Sequence, residues 1–208
     1  MTIFNRERLT NDVFKIDVKR MRRGWYSDKY FENIGVMLST LAEQGYVFKG
    51  ENLRLGDVDL TKTEVGNLEV EMQWFTRRTG KVVVAGVDKA LTMLRHCSGY
   101  FNGNGKFVNT WNRLKVEAVH DGTTVTYNGD PMSIQPVIRV RGCYRDFALL
   151  ETPTLGLLTR SSRVATNVYE TLIAARGKPV LFFPARFDFT RTKINGFHTR
   201  FTSNLFTF

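Results

Sequence analysis

The stretch LLETPTLGLLTRSSRVATN, residues 149–167, determines how this chain is organised. It lies inside a helical pattern that starts near Asp146 and reaches Gly177, which is placed as a C-terminal cap. Pro153 interrupts the pattern, so we expect the helix to break or bend at that residue. The residues that predict one apolar face at helical spacing are Leu157, Val164, Val168 and Leu172.

A short apolar run, PVLFF at residues 179–183, follows this helix. Continuous runs of this kind are typical of strands buried on both faces, as in parallel sheets and α/β barrels. In barrels the active residues lie just past the carboxyl ends of the strands. Arg186 stands at that position, two residues before Asp188, so it is predicted either to bind an anionic substrate or to form a salt bridge with Asp188.

An amphipathic helix is predicted at residues 26–44. Ser27 or Asp28 can cap its start, and Gly45 can end it. The residues that recur at helical spacing and predict a core-facing side are Tyr30, Ile34, Met37, Leu38 and Leu41.

Two strands and a short helix are predicted after it. Apolar and polar residues alternate over 68–74, which is the period of a strand with one solvated face. A second strand covers 81–87 after an Arg-Thr-Gly turn signal, and the two strands together suggest a hairpin. Asp88 is then placed to cap a helix through Leu91 and Leu94.

The next part of the chain predicts a small β-rich unit. Its strands, at 114–119, 123–127 and 134–140, are rich in β-branched residues. An Asp-Gly pair and an Asn-Gly-Asp-Pro run separate them, and both are strong turn signals.

The composition favours a globular protein of one or two domains. The 208 residues are 42% hydrophobic, which is enough to bury a core, and no run approaches the roughly 18 to 20 apolar residues of a membrane-spanning helix. The N-terminus lacks the pattern of a secretory signal, so a cytoplasmic location is expected. Cys97 and Cys143 fit no metal or redox spacing, and the three histidines show no ligand spacing, so no metal site is predicted.

The chain is strongly basic, with a formal net charge of +10. Its basic residues are spread along the sequence and do not form a dense block with interleaved aromatic residues, so nucleic acid is an unlikely partner. A cleft for small anionic substrates accounts for part of the surplus, because clefts lined with one sign of charge concentrate such ligands.

Four short motifs occur in an order that carries a resemblance. They are YSDKY at 26–30, LLETP at 149–153, S-x-x-A-T at 162–166, and Pro-Ala-Arg at 184–186. In this order the chain resembles the nicotinate phosphoribosyltransferase family and, more distantly, quinolinate phosphoribosyltransferase. The resemblance implies the α+β N-terminal domain of a type II phosphoribosyltransferase, followed by the first helix and strand of an incomplete α/β barrel.

The resemblance also implies a reaction. Nicotinate would be joined to phosphoribosyl pyrophosphate with ATP hydrolysis, giving nicotinate mononucleotide and pyrophosphate in NAD biosynthesis. The implied cofactors are Mg²⁺ and ATP, and the implied partners are nicotinate, phosphoribosyl pyrophosphate and a second copy in a homodimer. The alternative is the quinolinate enzyme, which removes a carboxyl group, needs no ATP and requires extra basic residues for the second carboxylate. An inactive fragment or a basic binding protein is the remaining alternative.

Five residues are predicted to bind substrate. Arg186 would grip a carboxylate or phosphate, since a planar guanidinium matches both. By the resemblance, Tyr30 would stack on the pyridine ring, with core packing as its alternative. Ser162 and Thr166 would bond near the sugar phosphate or cap the local turn. Arg141 is also included, and a solvated sheet face is its alternative. No catalytic residue is assigned.

The predicted domain boundaries follow from the same motifs. Residues 1–147 form the N-terminal α+β domain, 148–189 begin the barrel domain, and 190–208 form a tail that does not match the family. Because one barrel strand cannot close a barrel, we expect the chain on its own to lack phosphoribosyltransferase activity.

Overall fold

The computed structural model of this protein describes residues 8–51 and 54–181. The α-helices are α1 (Val18–Met21), α2 (Lys29–Glu43), α3 (Val87–Cys97) and α4 (Glu151–Ala175). The strands are β1 (Arg54–Leu55), β2 (Val58–Asp59), β3 (Glu69–Trp74), β4 (Gly80–Val83), β5 (Gly99–Phe101), β6 (Phe107–Asn109), β7 (Lys115–Ala118), β8 (Thr124–Tyr127) and β9 (Ile138–Cys143). Short 3-10 helices join several of these elements.

The largest sheet is antiparallel and has the strand order β3-β9-β7. Its register pairs Glu69 with Cys143 and Trp74 with Ile138, so β3 pairs with a strand far along the chain. The predicted β3–β4 hairpin is therefore wrong. Strand β4 pairs with β8 instead, with Val82 opposite Val125. Alternation identified the strands, but it carries no information about which strands pair across long loops.

The core lies where these two sheets meet α3 and the start of α4. Trp74, on the last position of β3, is 3% exposed, and Phe147, Ile138 and Leu94 are completely or almost completely buried. The predicted alternation of β3 holds, because Glu69 and Glu71 face solvent on the opposite side from Trp74. Burial of this apolar surface is the main force that holds α3 and the sheets together.

Helix α3 begins as predicted, but a different residue satisfies its first N–H groups. Gly86 occupies the N-cap in a left-handed conformation, with φ of 95°. The carboxylate of Asp121 accepts hydrogen bonds from the N–H of Val87 at 2.8 Å and of Asp88 at 3.3 Å. Asp88, predicted as the cap, instead pairs with Arg8 at 2.8 Å. The cap prediction is wrong because the true partner lies more than thirty residues away along the chain.

The pKa of the Asp121 carboxyl group is higher than usual. Burial and the neighbouring Asp88 raise the pKa of its carboxyl group to about 6, although the N–H of Val87 acts in the opposite direction. Cys97 is also affected by burial, which raises the pKa of its thiol to about 11.

Helix α2 begins and ends close to the predicted positions, and Gly45 follows it with φ of 59°. Its buried residues are Phe31 and Leu38, whereas Tyr30 is 56% exposed. The prediction that Tyr30 faces the core is wrong. On this side of the helix Phe31, and not Tyr30, faces the core, whereas Leu38 is buried as predicted.

Helix α4 runs without interruption from Glu151 to Ala175. Pro153 is the third residue of the helix and does not interrupt it. The N–H groups of a helix's first turn have no intrahelical acceptor, so the N–H that proline lacks is not needed there. Gly177, with φ of 82°, follows the helix as predicted. Residues 179–181 adopt no regular secondary structure, and Phe182, Phe183 and Arg186 lie outside the described residues. The barrel strand therefore stays a prediction.

Among the residues that the structure describes, no helix is long and apolar enough to cross a membrane.

Candidate functional site

A cleft of about 1060 Å³ lies between α4 and strands β3, β4 and β8. It has three distinct parts: an apolar floor, a mouth rich in arginine, and an end that carries Glu151 and Tyr144. Each part is positioned by a different contact of α4.

The floor is formed by Trp74, Leu155, Leu158 and Val82. The indole N–H of Trp74 donates a hydrogen bond to Thr154 Oγ1 at 3.0 Å, which fixes the ring against the first turn of α4. A buried indole N–H normally needs such a partner. This hydrogen bond holds the Trp74 ring against α4 beneath the apolar part of the cleft.

Two hydroxyl groups of α4 hold the wall made by β4. The N–H of Val83 donates to Thr166 Oγ1 at 3.0 Å, and the N–H of Ala85 donates to Ser162 Oγ at 3.0 Å. The Ser162 hydroxyl donates in turn to the carbonyl of Ala85 at 3.3 Å. The edge of β4 that does not pair with β8 is therefore covered by helix side chains, which removes a free sheet edge.

The mouth carries Arg77 and Arg78 from the loop between β3 and β4, and Arg163 from α4. Arg78 Nη2 lies 3.5 Å from Glu170 Oε2, and its Nη1 lies 3.3 Å from Asn167 Oδ1. The guanidinium of Arg77 sits 5.7 Å from the centre of the Phe75 ring. Within residues 8–51 and 54–181, no carboxylate comes within 4.0 Å of Arg77 or Arg163.

The opposite end of the cleft is acidic. Burial and then the nearby Asp28 raise the pKa of the Glu151 carboxyl group above its usual range. Burial and then Glu151 raise the pKa of the Tyr144 hydroxyl group. The cleft is therefore polarised, with positive charge at the mouth and a carboxylate at the other end.

Contacts between α2 and α4 bring two of the sequence motifs together. Thr152 Oγ1 donates to Asp28 Oδ2 at 2.9 Å, and the N–H of Asp28 donates to Thr152 Oγ1 at 3.3 Å. Tyr30 follows Asp28 on α2, and desolvation and then Glu151 raise the pKa of its hydroxyl group. The YSDKY and LLETP motifs thus meet at the acidic end of the cleft.

Arg141 lies elsewhere, on the solvent-facing side of the β3-β9-β7 sheet. It forms ion pairs with Glu71 and Glu117, and Arg139 pairs with the same two carboxylates at 3.2 and 3.5 Å. The arginines stand opposite these acids across the strands, an arrangement that stabilises a sheet.

The structure brings only part of the predicted site together. Ser162 lines the cleft, but its hydroxyl group is engaged by β4. Thr166 is buried behind it, and Tyr30 and Arg141 are not among the residues that line the cleft. Arg186 lies outside the described residues.

The mouth arginines were missed by sequence reasoning. Arg78 begins the Arg-Thr-Gly turn signal, Arg77 precedes it, and Arg163 lies inside the S-x-x-A-T motif. The one available signal was the position of Arg163 inside a motif that had already been singled out. No group of His, Cys, Asp and Glu suited to a metal ion occurs in the described part of the chain.

Comparison with known proteins gives one family. The model of quinolinate phosphoribosyl transferase, N-terminal domain, matches residues 57–162, just over half of the chain. A solved structure of nicotinate-nucleotide pyrophosphorylase from Pyrococcus furiosus is 19% identical, with a TM-score of 0.49. The similarity covers 80% of this chain but 32% of that one, so the chain spans about a third of its length. No curated protein matches the chain.

The family match corrects the resemblance drawn from the motifs. The predicted nicotinate branch is wrong, because the matching family is that of the quinolinate enzymes. The ATP-coupled reaction falls with it, as do the expected ATP and the nicotinate substrate. The expected Mg²⁺ and the homodimer stay predictions, because the family match does not test them. The coarser prediction, an α+β N-terminal domain of a type II phosphoribosyltransferase, is confirmed.

Proposed function

We propose that the chain is part of a transferase that acts on quinolinate, because it belongs to the quinolinate phosphoribosyl transferase family through its N-terminal domain. The match over residues 57–162 is the observation that carries the proposal. It includes β3, β4, α3, the whole β-rich unit and the first turns of α4, and therefore most of the walls of the cleft.

In the proposed reaction the ring nitrogen of quinolinate attacks the anomeric carbon of phosphoribosyl pyrophosphate. Pyrophosphate leaves with the electrons of the bond to the anomeric carbon. The carboxyl group next to the ring nitrogen departs as CO₂, and the electron pair that it leaves on the ring carbon takes up a proton from water. Both substrates are anions, so arginines contribute by neutralising their charge and fixing their orientation. No ATP takes part.

The second carboxylate of quinolinate distinguishes it from nicotinate, and it needs additional basic groups. Three arginines, Arg77, Arg78 and Arg163, line the cleft, and this supports the quinolinate assignment. The apolar part of the lining, which includes the exposed Leu155, offers contact to a pyridine ring.

Roles for the originally predicted residues stay proposals. Arg186 is retained as a ligand for a substrate carboxylate, and Tyr30 as a stacking partner for the pyridine ring. Ser162 and Thr166 are assigned a positioning role, because their hydroxyl groups hold β4 against α4. Arg141 is assigned to the sheet face. Residues 148–189 are proposed to lead into the barrel domain.

Calorimetric titration of the 208-residue chain tests the proposal. We expect quinolinate to bind at least about tenfold more tightly than nicotinate, since its second carboxylate adds a charge-assisted hydrogen-bond set. ATP should leave both affinities unchanged. Any turnover with phosphoribosyl pyrophosphate should consume quinolinate and release nicotinate mononucleotide.

Tyr30→Ala and Tyr26→Ala form a matched pair for the same titration, because both tyrosines are exposed near the start of α2. We expect Tyr30→Ala to weaken quinolinate binding by about tenfold through lost stacking, and Tyr26→Ala to leave it unchanged. Equal or tighter binding of nicotinate, or a requirement for ATP, would overturn the proposed function.

A further inference from the structure

Three Asn-Gly pairs occur in the described part of the chain, at 102–103, 104–105 and 128–129. In such a pair the backbone nitrogen of the glycine can attack the side-chain amide carbon of the asparagine, because glycine has no side chain to obstruct the approach. We propose that Asn102, in the hairpin between β5 and β6, is a site of self-catalysed deamidation. The reaction needs neither an enzyme nor a cofactor, and its co-reactant is water.

The reaction has two steps. The backbone nitrogen of Gly103 loses its proton to water and forms a bond to Cγ of Asn102, while the side-chain nitrogen takes up a proton and leaves as ammonia. The product is a cyclic imide. Water then opens the ring at either carbonyl group, which gives aspartate or isoaspartate. No oxidant or reductant takes part, and each event adds one negative charge to a chain whose formal net charge is +10.

The first argument is the environment of the amide oxygen of Asn102. Its Oδ1 accepts hydrogen bonds from the backbone N–H of Asn104 at 3.2 Å and of Lys106 at 3.0 Å. Negative charge develops on this oxygen when the nitrogen attacks, and fixed N–H donors stabilise such a charge. Because a hydrogen bond to a charged oxygen is stronger than one to a neutral carbonyl, the two donors favour the transition state over the intact asparagine.

The second argument is the freedom of the attacking nitrogen. The N–H of Gly103 donates no hydrogen bond within the described residues, and a Cβ at this position would meet nothing within 4 Å. The N–H of Gly105, by contrast, donates to the backbone carbonyl of Asn102 at 2.8 Å. This bond must break before the nitrogen of Gly105 can attack Asn104. The hairpin therefore protects Asn104 and leaves Asn102 open to reaction.

Asn128 is the intermediate case. Its Oδ1 accepts one backbone hydrogen bond, from the N–H of Asp130 at 2.9 Å, where the Oδ1 of Asn102 accepts two. The N–H of Gly129 has no acceptor in the part of the chain that the structure describes. Asn128 thus has a free attacking nitrogen and half of the support for the developing charge. The structure orders the three sites: Asn102 reacts first, Asn128 second and Asn104 last.

Peptide mapping by mass spectrometry tests this order after incubation of the unchanged 208-residue chain at neutral pH. Peptide fragmentation assigns each new carboxyl group to its own asparagine, and it reads Asn195, which precedes a glycine outside the described residues, separately. We expect Asn102 to react about tenfold faster than Asn104, the factor expected for one additional hydrogen bond to a developing charge. In concentrated urea, where the hydrogen bonds of the hairpin are lost, the rates at the three asparagines should converge.

A pair of variants separates the chemistry from the fold. Gly103→Ala has room for its methyl group and should make Asn102 slower than Asn128. Asn104→Gln is the matched control: it keeps the backbone N–H that serves Asn102 and should leave the rate at Asn102 unchanged. Equal rates at Asn102 and Asn104 in the folded chain would overturn the proposal, as would the same order of rates in urea. Because no measurement needs turnover, these results are independent of the transferase reaction.

Discussion

Two groups of arginines in this domain look alike in sequence and differ in their surroundings. Arg139 and Arg141 lie on the sheet, where Glu71 and Glu117 stand across the strands and compensate both charges. Arg77 and Arg163 lie at the cleft mouth without a carboxylate at ion-pair distance in the described residues. The sheet arginines therefore act within the fold, whereas the mouth arginines keep their binding capacity for a ligand.

The contrast teaches that partners define the role of a charged side chain. Both groups consist of arginines, so the residue type alone does not separate them. The two groups differ in whether a neighbouring strand or helix places a carboxylate opposite the arginine. That placement depends on strand order and register.

The largest effect should come from removing a hydroxyl that holds the cleft wall. Thr166→Val leaves the buried N–H of Val83 without a partner and should lower the free energy of unfolding by about 1–3 kcal/mol. Urea denaturation measures it. Thr171→Val, on an exposed turn of the same helix, should change it by less than about 0.5 kcal/mol. If Thr166→Val left the free energy of unfolding unchanged, the mouth arginines, and not this hydroxyl group, would have to hold α4 against β4.

Asp121 is a buried acid that accepts hydrogen bonds from backbone N–H groups, unlike Glu71 and Glu117, which pair with arginines. The folded pKa of this carboxyl group, about 6, exceeds its ordinary value of 3.8, so the folded state binds the proton more tightly than the unfolded state. Its contribution to stability is present below about pH 4 and lost as pH rises through 6, on the order of 1–3 kcal/mol. Unfolding followed from pH 4 to 7 should show this fall, and Asp121→Asn should flatten it. The same slope in both proteins would assign it to another group.

Charge reversal should act in opposite directions in the two groups. Arg141→Glu places a third carboxylate beside Glu71 and Glu117 and should lower the melting temperature by about 2–4 °C. Arg163→Glu relieves repulsion at the mouth and should leave the melting temperature unchanged or raise it by about 1 °C. Thermal unfolding of the two variants at low salt decides this. Equal destabilisation would remove the distinction between the groups.

The smallest effect concerns acid sensitivity of the sheet. Hydrogen bonds from Gln73 and Arg141 lower the pKa of Glu71 below its ordinary value of 4.5. The stabilisation that ionised Glu71 gives to the folded state is therefore complete above about pH 4.5. It is lost as the pH falls through the lower pKa that Glu71 has in the folded state. Glu71→Gln should reduce this loss, and Arg163→Gln should not affect it. Unfolding curves between pH 3 and 6 for the three proteins, the range in which carboxyl groups titrate, provide the measurement.

Much of the secondary structure could be predicted from the sequence. Periodicity identified α2, β3, α3 and α4, because each element has one buried face whose spacing is visible locally. The β3–β4 hairpin failed because pairing is decided by long-range packing. The prediction that Asp88 caps α3 failed for the same reason, because the carboxylate that accepts hydrogen bonds from the N–H groups of Val87 and Asp88 belongs to the distant Asp121.

The candidate site was less predictable than the fold. The S-x-x-A-T motif was predicted to bind substrate, and in the structure its hydroxyl groups accept hydrogen bonds from the backbone N–H groups of Val83 in β4 and of Ala85 just after it. Whether a hydroxyl faces a ligand or a strand edge depends on what packs against its helix. Arg163 lies between these two residues in the sequence. Its place in the cleft lining can be recognised only from the positions of β4 and of the loop that carries Arg77.

The pairing of β3 with β9 also bears on how the molecule assembles. The partner of Glu69 is Cys143, so a ribosome must synthesise most of the β-rich unit before the first residue of β3 can find its neighbour. Contacts between such distant residues require closure of a long loop and form slowly. We therefore expect β4–β8 and α3 to form early and the three-stranded sheet to complete last, with the exposed edges of β3 vulnerable to association until β9 arrives.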